Sequence, residues 1–406
     1  MDVLIVGGGG REHALAWKIA QSPHLRDLHA APGNPGIDGI GKCHPVRPDD
    51  PEAMLSLSRE LAVDLVVVGP EAPLVAGLAD ALRGVGVAVF GPTAAAARIE
   101  GSKSFAKDVL RSAGVPTAAE LSEPQAPCVV KADGLAAGKG VFVCLTQAEL
   151  EQALPRAREL GEQVVLEELL EGEEVSLFAL CDGTDALPLA PAQDFKRLLD
   201  GDRGPNTGGM GSYSPVPWLS DDGVDELVET VHRPVLRELA ARGTPFRGLL
   251  YAGLMLTDGG PRVLEFNCRF GDPETQAILP RLDGDLLEAL AAVADGSLEG
   301  IDLVAGREAA VTVVLAAAGY PEAPANGIEL VGVGDAEAEG ALVFHAGTAL
   351  RGESLVTAGG RVLNVTALGE SVTEARDRAY QAVEHIGPTD LQYRRDIALA
   401  AVHANA

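Results

Sequence analysis

Four short apolar runs, Val3 to Val6, Leu28 to Ala31, Val63 to Val68 and Val87 to Phe90, each stop at glycine or proline. A helical stretch from Arg11 to Gln21 follows the first of them. Runs of this length, punctuated in this way, read as strands alternating with helices. The opening hundred residues are therefore expected to form a parallel α/β unit, whose ligand-binding loops sit at the carboxyl ends of its strands. At 406 residues the chain exceeds one hydrophobic core, so about two to four domains are expected.

From Val129 onward the texture turns β-rich. Cys128 to Ala132 and Val141 to Cys144 flank a glycine loop and predict a hairpin, followed by a helix over Gln147 to Leu160 and strands at Val164 to Leu166 and Val175 to Cys181. Pro205 to Ser214 reads as a polar, glycine-dense loop, and Asp222 to Arg242 as one long helix. Leu249 to Leu256 and Arg262 to Asn267 predict a second hairpin around Thr257-Asp258-Gly259-Gly260. The remainder, from Ala309, reads as short strands with two turns and one helix, Val372 to Glu384.

Composition excludes several classes of function. A net charge of −27 argues against a non-specific nucleic-acid binder, which needs a basic surface to displace counterions. No apolar run approaches the roughly 20 residues of a membrane helix, and no basic segment precedes an apolar one at the N-terminus, so neither a membrane span nor a signal peptide is expected. Five cysteines without C-x-x-C spacing predict free thiols in a reducing cytoplasm. The eight histidines show no zinc spacing. Of the seven lysines, five fall between Lys103 and Lys196, as a phosphate site using compact ammonium groups would require.

Five stretches carry candidate chemistry. In Val263 to Glu274 (VLEFNCRFGDPE), strand alternation puts Glu265 and Asn267 on one face and turns Leu264 and Phe266 into a core. A carboxylate beside a carboxamide oxygen suits Mg²⁺ already carrying phosphate. Arg269, farther along that face, is placed to grip a carboxylate or an acyl phosphate. Gly7 to His13 follows a strand and opens a helix, a setting for a phosphate. Its spacing is not GxGxxG, because Glu12 stands where the third glycine would be, and the next strand lacks a ribose-binding acid. A phosphomonoester fits better than a dinucleotide. Lys131 to Gly140 (KADGLAAGKG) brackets a glycine turn with Lys131 and Lys139, which suits a polyphosphate. An ordinary hairpin with two solvated lysines would read the same way. In Val165 to Ser176, the strand ends at Glu167-Glu168-Leu169-Leu170, where backbone groups can meet an adenine edge and Glu174 a ribose; an acidic solvated turn is the blander reading. Finally, Gly204 to Gly211 (GPNTGGMG) combines glycines that approach a ligand closely with donors on Asn206 and Thr207.

These stretches, in this order, resemble the ATP-grasp ligases. Joined to GGREHA at Gly9 to Ala14, VGPEAPL at Val68 to Leu74, EGSK at Glu100 to Lys103, FHAGT at Phe344 to Thr348 and GGRVLNVTALG at Gly359 to Gly369, they resemble the phosphoribosylamine–glycine ligase family over nearly the whole chain. The resemblance implies an α/β and α+β multidomain protein. Residues 1–101 would be an N-terminal parallel α/β (pre-ATP-grasp) domain, 102–308 the ATP-grasp core with a lid over about 117–181, and 309–406 a small β-rich domain.

The implied reaction joins glycine to 5-phosphoribosylamine at the expense of ATP, through glycyl phosphate, in purine synthesis. ATP would be held by Lys103, Lys131, Gly138, Lys139, Gly140, Glu167, Glu168, Leu170 and Glu174, and Mg²⁺ or Mn²⁺ by Glu265 and Asn267. Gly8, Gly9, Gly10, Arg11, Asp194, Gly208 and Asp272 would meet the other substrates, and Arg269, Asn206, Thr207 and Gly209 the reacting groups. A cytoplasmic monomer acting on small molecules alone is expected. Two departures from the family pattern stand out. The connection from the helix near Ala148 to the strand at Val164 is short and holds only Gly161, where homologues carry a glycine-containing loop. Phe195 stands where a histidine is usual. Another carboxylate–amine ligase, an inactive nucleotide-binding module and a dehydrogenase are the alternative readings.

Overall fold

The first apolar run becomes the central strand of a five-stranded parallel sheet. Asp2–Gly7 pairs with Asp27–Pro32 on one side and Leu65–Val68 on the other, with Lys42–Cys43 and Ala88–Phe90 at the edges. Val3 to Val6 are fully buried, because helices cover both faces of such a sheet. The chain leaves the central strand in one direction and returns on its other side, so a crevice opens where Gly7 to Gly9 lead into the helix Gly10–Ile19. A Cβ on Gly8 would lie 2.3 Å from the Gly33 carbonyl oxygen, so only glycine lets the first two strand-end turns meet. This computed structural model describes residues 1–136, 139–161 and 163–404. Gly138, expected at the phosphate loop, lies outside them.

Two sheets follow. Cys128–Ala132 lies between Val141–Cys144 and Val164–Glu168 in a three-stranded antiparallel sheet, and the helix Gln147–Leu160 packs on it. Its core, formed by Cys128, Val130, Ala132, Cys144, Leu150, Ala153 and Ala157, is separate from the rest of the molecule's interior. The second sheet runs Ala186–Pro188, Glu173–Asp182, Arg247–Thr257, Gly260–Asn267. One face of it shares a hydrophobic core with the N-terminal sheet, in which Leu4 and Val68 join Val175, Leu177 and Phe266.

The last sheet does not stop at residue 309. Ala309–Ala316, Arg361–Gly369 and Leu342–His345 are extended by Gly211–Ser214 and Gln193–Asp194. The stretch expected to be a loop, Pro205 to Ser214, thus contains strand at both ends, with Arg203–Asn206 pairing Arg197–Leu199. Glycine hid this strand from sequence reading, yet Gly211 is there because a Cβ would press to 2.6 Å from the Thr312 carbonyl. The expected long helix is three segments, Asp221–Leu227, a π turn Val228–His232, and Arg233–Ala241. Pro234 lacks the N–H that would continue regular bonding there. Helices at Val333–Ala338 and Leu399–Ala404 add to the one expected beyond residue 309.

Candidate active site

The strand Gly260–Asn267 pairs in register as far as Gly253 opposite Glu265, but Leu254 then faces Val263. Leu264 is the extra residue of a β-bulge. Strict alternation would bury Leu264; instead Val263 and Phe266 are each 1% exposed and Leu264 is only partly covered. The bulge frees the Leu264 carbonyl from the ladder, and it accepts from Lys131 Nζ at 2.8 Å. Beside it, Glu265 Oε2 is 3.8 Å from Lys103 Nζ. Burial works against the Glu265 charge, but Lys103, Lys196, Lys131 and Arg269 outweigh it and hold the carboxyl at about 2. An ionised carboxylate next to the Asn267 carboxamide is an oxygen donor set suited to a hard divalent cation.

Arg269 is less open than strand geometry predicts. Its Nε donates to Glu71 Oε2 at 3.1 Å, its Nη1 to Phe270 O at 3.2 Å, and its Nη2 to Asn267 Oδ1 at 3.3 Å. Nη2 also lies 3.3 Å from Glu100 Oε1. Burial would raise the Glu71 carboxyl, yet Arg269, with Arg11 behind it, lowers it from 4.5 to about 2. A depressed folded value means the stabilisation is complete above 4.5 and is lost as pH falls toward about 2. Glu71→Gln should therefore destabilise the protein at neutral pH, and its deficit against the parent should shrink as pH drops below 4.5. Urea midpoints measured from neutral pH downward test this; a constant deficit would place the stabilisation elsewhere.

The lysines of the expected phosphate loop differ from one another. Lys139 is exposed, whereas Lys131 is 5% exposed and its ammonium lies 2.6 Å from Glu167 Oε2. Lys107, which sequence reading left unassigned, reaches Glu167 Oε1 at 2.8 Å from the helix Lys103–Ala113. Glu167 was expected beside adenine; its side chain is instead the buried counter-ion of two lysines, because charges taken out of water must pair. Glu168 is also engaged, since its N–H donates to Ala119 O at 3.0 Å and its carboxylate accepts from Ala119 N at 2.8 Å. Of the expected adenine edge, the half-buried Leu169 and Leu170 continue past those bonds. Glu174 forms an ion pair with Lys196. Gly140 is buried, and its carbonyl accepts from Ala132 N at 2.8 Å, closing the base of the turn.

At the other end of the site, Gly8 and Gly9 line a cavity of about 410 Å³ with Gly33, Asn34, Asp272, Gly347, Thr348 and the Gly359 to Arg361 turn. Four glycine turns, two of them from beyond residue 309, therefore meet around one space. Gly10 is turned away, and a Cβ on it would lie 2.2 Å from Asn364 Nδ2 and 2.7 Å from Gln276 Nε2. Arg11 was expected at the phosphate, but it is 7% exposed, paired with Glu12 at 2.5 Å and donating to Phe270 O at 3.1 Å. Asn34 was missed: its Nδ2 donates to Gly8 O at 3.0 Å and His345 O at 2.8 Å, tying the first turn to the last sheet. In the Gly204 to Gly211 stretch, Thr207 Oγ1 donates to Lys196 O at 2.9 Å and Asn206 Nδ2 to Val141 O at 3.1 Å. Those donors hold the loop in place, leaving Gly208 and Gly209 as its closest approach to the cavity through Arg361 and Asp272.

Family models for the N, ATP-grasp and C domains of phosphoribosylglycinamide synthetase match residues 1–100, 101–275 and 310–400. The chain belongs to the phosphoribosylglycinamide synthetase family. A phosphoribosylamine–glycine ligase of Streptomyces coelicolor is 53% identical over 420 residues, covering 100% of both chains. That of Mesorhizobium japonicum is 51% identical, covering 99% of each. The crystal structure of the Thermotoga maritima phosphoribosylamine–glycine ligase is 37% identical, with a TM-score of 0.83 over 98% of this chain and 100% of that one. At 16% identity and a TM-score of 0.69, a biotin carboxylase domain from Hydrogenobacter thermophilus shares the fold.

Both departures from the phosphoribosylglycinamide synthetase pattern have a structural counterpart. At the short lid connection, a Cβ on Gly161 would lie 2.4 Å from Asp133 O, and Asp133 N donates to Gln163 O at 2.8 Å. Gly161 and Gln163 are thus held against Asp133, whose carboxylate in turn caps Lys103 N at 2.5 Å. Phe195 packs into the last core with the Arg394 guanidinium 4.9 Å above its ring. Its neighbour Asp194 sits among Lys196, Glu274, Glu174 and Glu265: burial pushes its carboxyl up to about 8, Lys196 opposes this, and the three carboxylates reinforce it.

Proposed function

We infer that this chain is an ATP-dependent carboxylate–amine ligase, which joins glycine to 5-phosphoribosylamine and releases glycinamide ribonucleotide, ADP and phosphate in purine biosynthesis. The observation that carries this reading is the adjacency of two half-sites. An oxygen-donor face at Glu265 and Asn267 is ringed by lysines, and Asp272, three residues past Arg269 in the turn that follows, lines the cavity at Gly8 and Gly9.

Glycine's carboxylate attacks the γ-phosphorus, ADP leaves, and the amine of phosphoribosylamine then displaces phosphate from glycyl phosphate. Lys103, Lys131 and Lys139 face the ATP phosphates, with Gly140 closing the base of the turn. The backbone beyond Glu167 and Glu168, at Leu170, meets adenine, and Glu174 accepts from the ribose. Gly8 and Gly9 hold the 5′-phosphate at the helix N-terminus, with Gly10 and Arg11 packed behind them. Asp272, Gly208 and Asp194 contact the remaining substrate groups, and Arg269 with the Asn206, Thr207 and Gly209 loop stabilises the acyl phosphate. Catalysis rests on positioning and electrostatics, without a protein nucleophile. Glu265 and Asn267 would hold Mg²⁺, or Mn²⁺ in its place, which when bound neutralises charge on the phosphates.

In this reading residues 1–101 bind the phosphate end, 102–308 bind ATP with 117–181 as the lid, and 309–406 close the cavity. The enzyme works as a cytoplasmic monomer; among the described residues no helix is long and apolar enough to cross a membrane. A dimer mass by sedimentation would rule against the monomer.

Coupled ADP release with ATP, Mg²⁺ and glycine, with and without freshly generated phosphoribosylamine, tests the activity. Release that requires both substrates supports the ligase. Release with glycine alone means that glycyl phosphate leaks to water through the short lid. ATP binding without release favours an inactive nucleotide-binding module. Glu265→Ala should raise the Mg²⁺ needed for half-maximal rate by at least the roughly 10- to 100-fold typical of an outer-shell loss; an unchanged titration would count against the metal assignment.

A further inference from the structure

Arg361 opens the strand Arg361–Gly369 and reaches out of the last sheet into the cavity wall. Its Nη1 donates to the carbonyls of Gly208, Gly209 (3.3 Å) and Asp272 (2.8 Å), and its Nη2 lies 2.8 Å from Asp272 Oδ2. One guanidinium therefore binds the glycine loop and the turn after Arg269 together. Two further contacts act on the same pair. Gln276 Nε2 donates to Asp272 Oδ1 at 2.8 Å, and a Cβ on Gly209 would lie 2.4 Å from Pro273 Cδ. Asp272 already neutralises the Arg361 charge, and four of its contacts are to the protein itself. That is the arrangement of a brace, not of a counter-ion for a phosphate dianion.

We propose that Arg361 is the positioning residue that keeps the acyl-phosphate loop and the amine-side carboxylate Asp272 in register, so that glycyl phosphate meets the amine before water. This rests on the ligase reading above. In the productive step the amine nitrogen forms a bond to the acyl carbon, the carbon–oxygen bond to phosphate breaks, and the nitrogen gives up a proton. In the wasteful step water takes the amine's place and regenerates glycine and phosphate. Arg361 touches neither partner. Its loss leaves ATP cleavage intact and misplaces the acceptor, and a misplacement of about 1 Å can cost on the order of 10²-fold.

The test is the ratio of ADP to glycinamide ribonucleotide under saturating ATP and glycine. The parent should give about one ADP per product, whereas Arg361→Met should give about two or more, with kcat/KM for phosphoribosylamine down at least roughly tenfold and KM for ATP nearly unchanged. Arg361→Lys, which keeps the charge and folds if the methionine variant does not, should fall between them, because an ammonium cannot span all of these oxygens. A slower Arg361→Met or Arg361→Lys enzyme that still makes one ADP per product has lost only structure, and that outcome overturns the proposal. An unchanged enzyme overturns it equally. Absence of amine-dependent ADP release in the parent would instead sink the ligase reading on which the proposal stands.

Discussion

Glu167→Ala is expected to destabilise the protein by about 3–5 kcal/mol, because deleting one member of a buried ion pair strands the other charge out of water. Here two charges are stranded. The ammonium groups of Lys107 and Lys131 lie 2.8 and 2.6 Å from the two carboxylate oxygens, and all three side chains are under a tenth exposed. Lys107 keeps Thr117 Oγ1 and Ala118 O, and Lys131 keeps Leu264 O, but carbonyls and hydroxyls do not replace a full negative charge. Glu167→Gln preserves shape without charge and should lose nearly as much. Urea unfolding at neutral pH reads both variants. A loss below about 1 kcal/mol, the level of an exposed pair, would mean that water reaches the lysines.

Arg269→Ala is expected to slow turnover by roughly 10²- to 10³-fold, the range for removing one donor aimed at a developing oxyanion. Its ion pairs with Glu71 and Glu100 fix the plane of the guanidinium, so substrate meets a group already oriented. The same pairs mean that alanine takes the guanidinium away from two carboxylates, leaving Glu100 only its bond from Cys268 N, and thermal unfolding must accompany the kinetics. Arg269→Lys separates the two effects: it retains a charge for Glu71 and Glu100 but loses the planar fork, and should remain slow while regaining stability. Turnover of Arg269→Ala within about threefold of the parent would remove Arg269 from the mechanism, given the size of the effect such donors normally carry.

What sequence reading captured was periodic or local. The parallel strands around Val3 to Val6 and the hairpin ending at Cys144 follow from apolar runs bounded by glycine and proline. Glu265, Asn267 and Arg269 stood out as candidates because their chemistry lies within five consecutive residues. What escaped was set by partners far along the chain. Lys107 reads as one more polar residue on an amphipathic helix, and only its contact with Glu167 gives it a role. Asn34 shows locally only as a helix cap accepting from Ile37 N, while the bonds that tie Asn34 and Arg361 to the cavity run to Gly8, His345, Gly208 and Asp272. Arg11 fails in the opposite direction. Position suggested a phosphate, and the neighbouring Glu12 with the distant Phe270 carbonyl turned it inward.

The bulge at Leu264 also limits how this strand can change over evolutionary time. Val263 and Phe266 both face the core although they are three residues apart, because the bulge absorbs one residue; removing Leu264 would restore unbroken alternation with Glu265 and Asn267 still on the outer face. What the deletion would remove is the freed carbonyl that accepts from the buried Lys131 ammonium beside Glu167. Insertions and deletions should accordingly collect at the hairpin tip, Thr257 to Gly260, and be purged from the span that follows, even where the residues lost are plain aliphatics. Leu264 contributes its backbone to the site, so its side chain is free to drift while its place in the count is not.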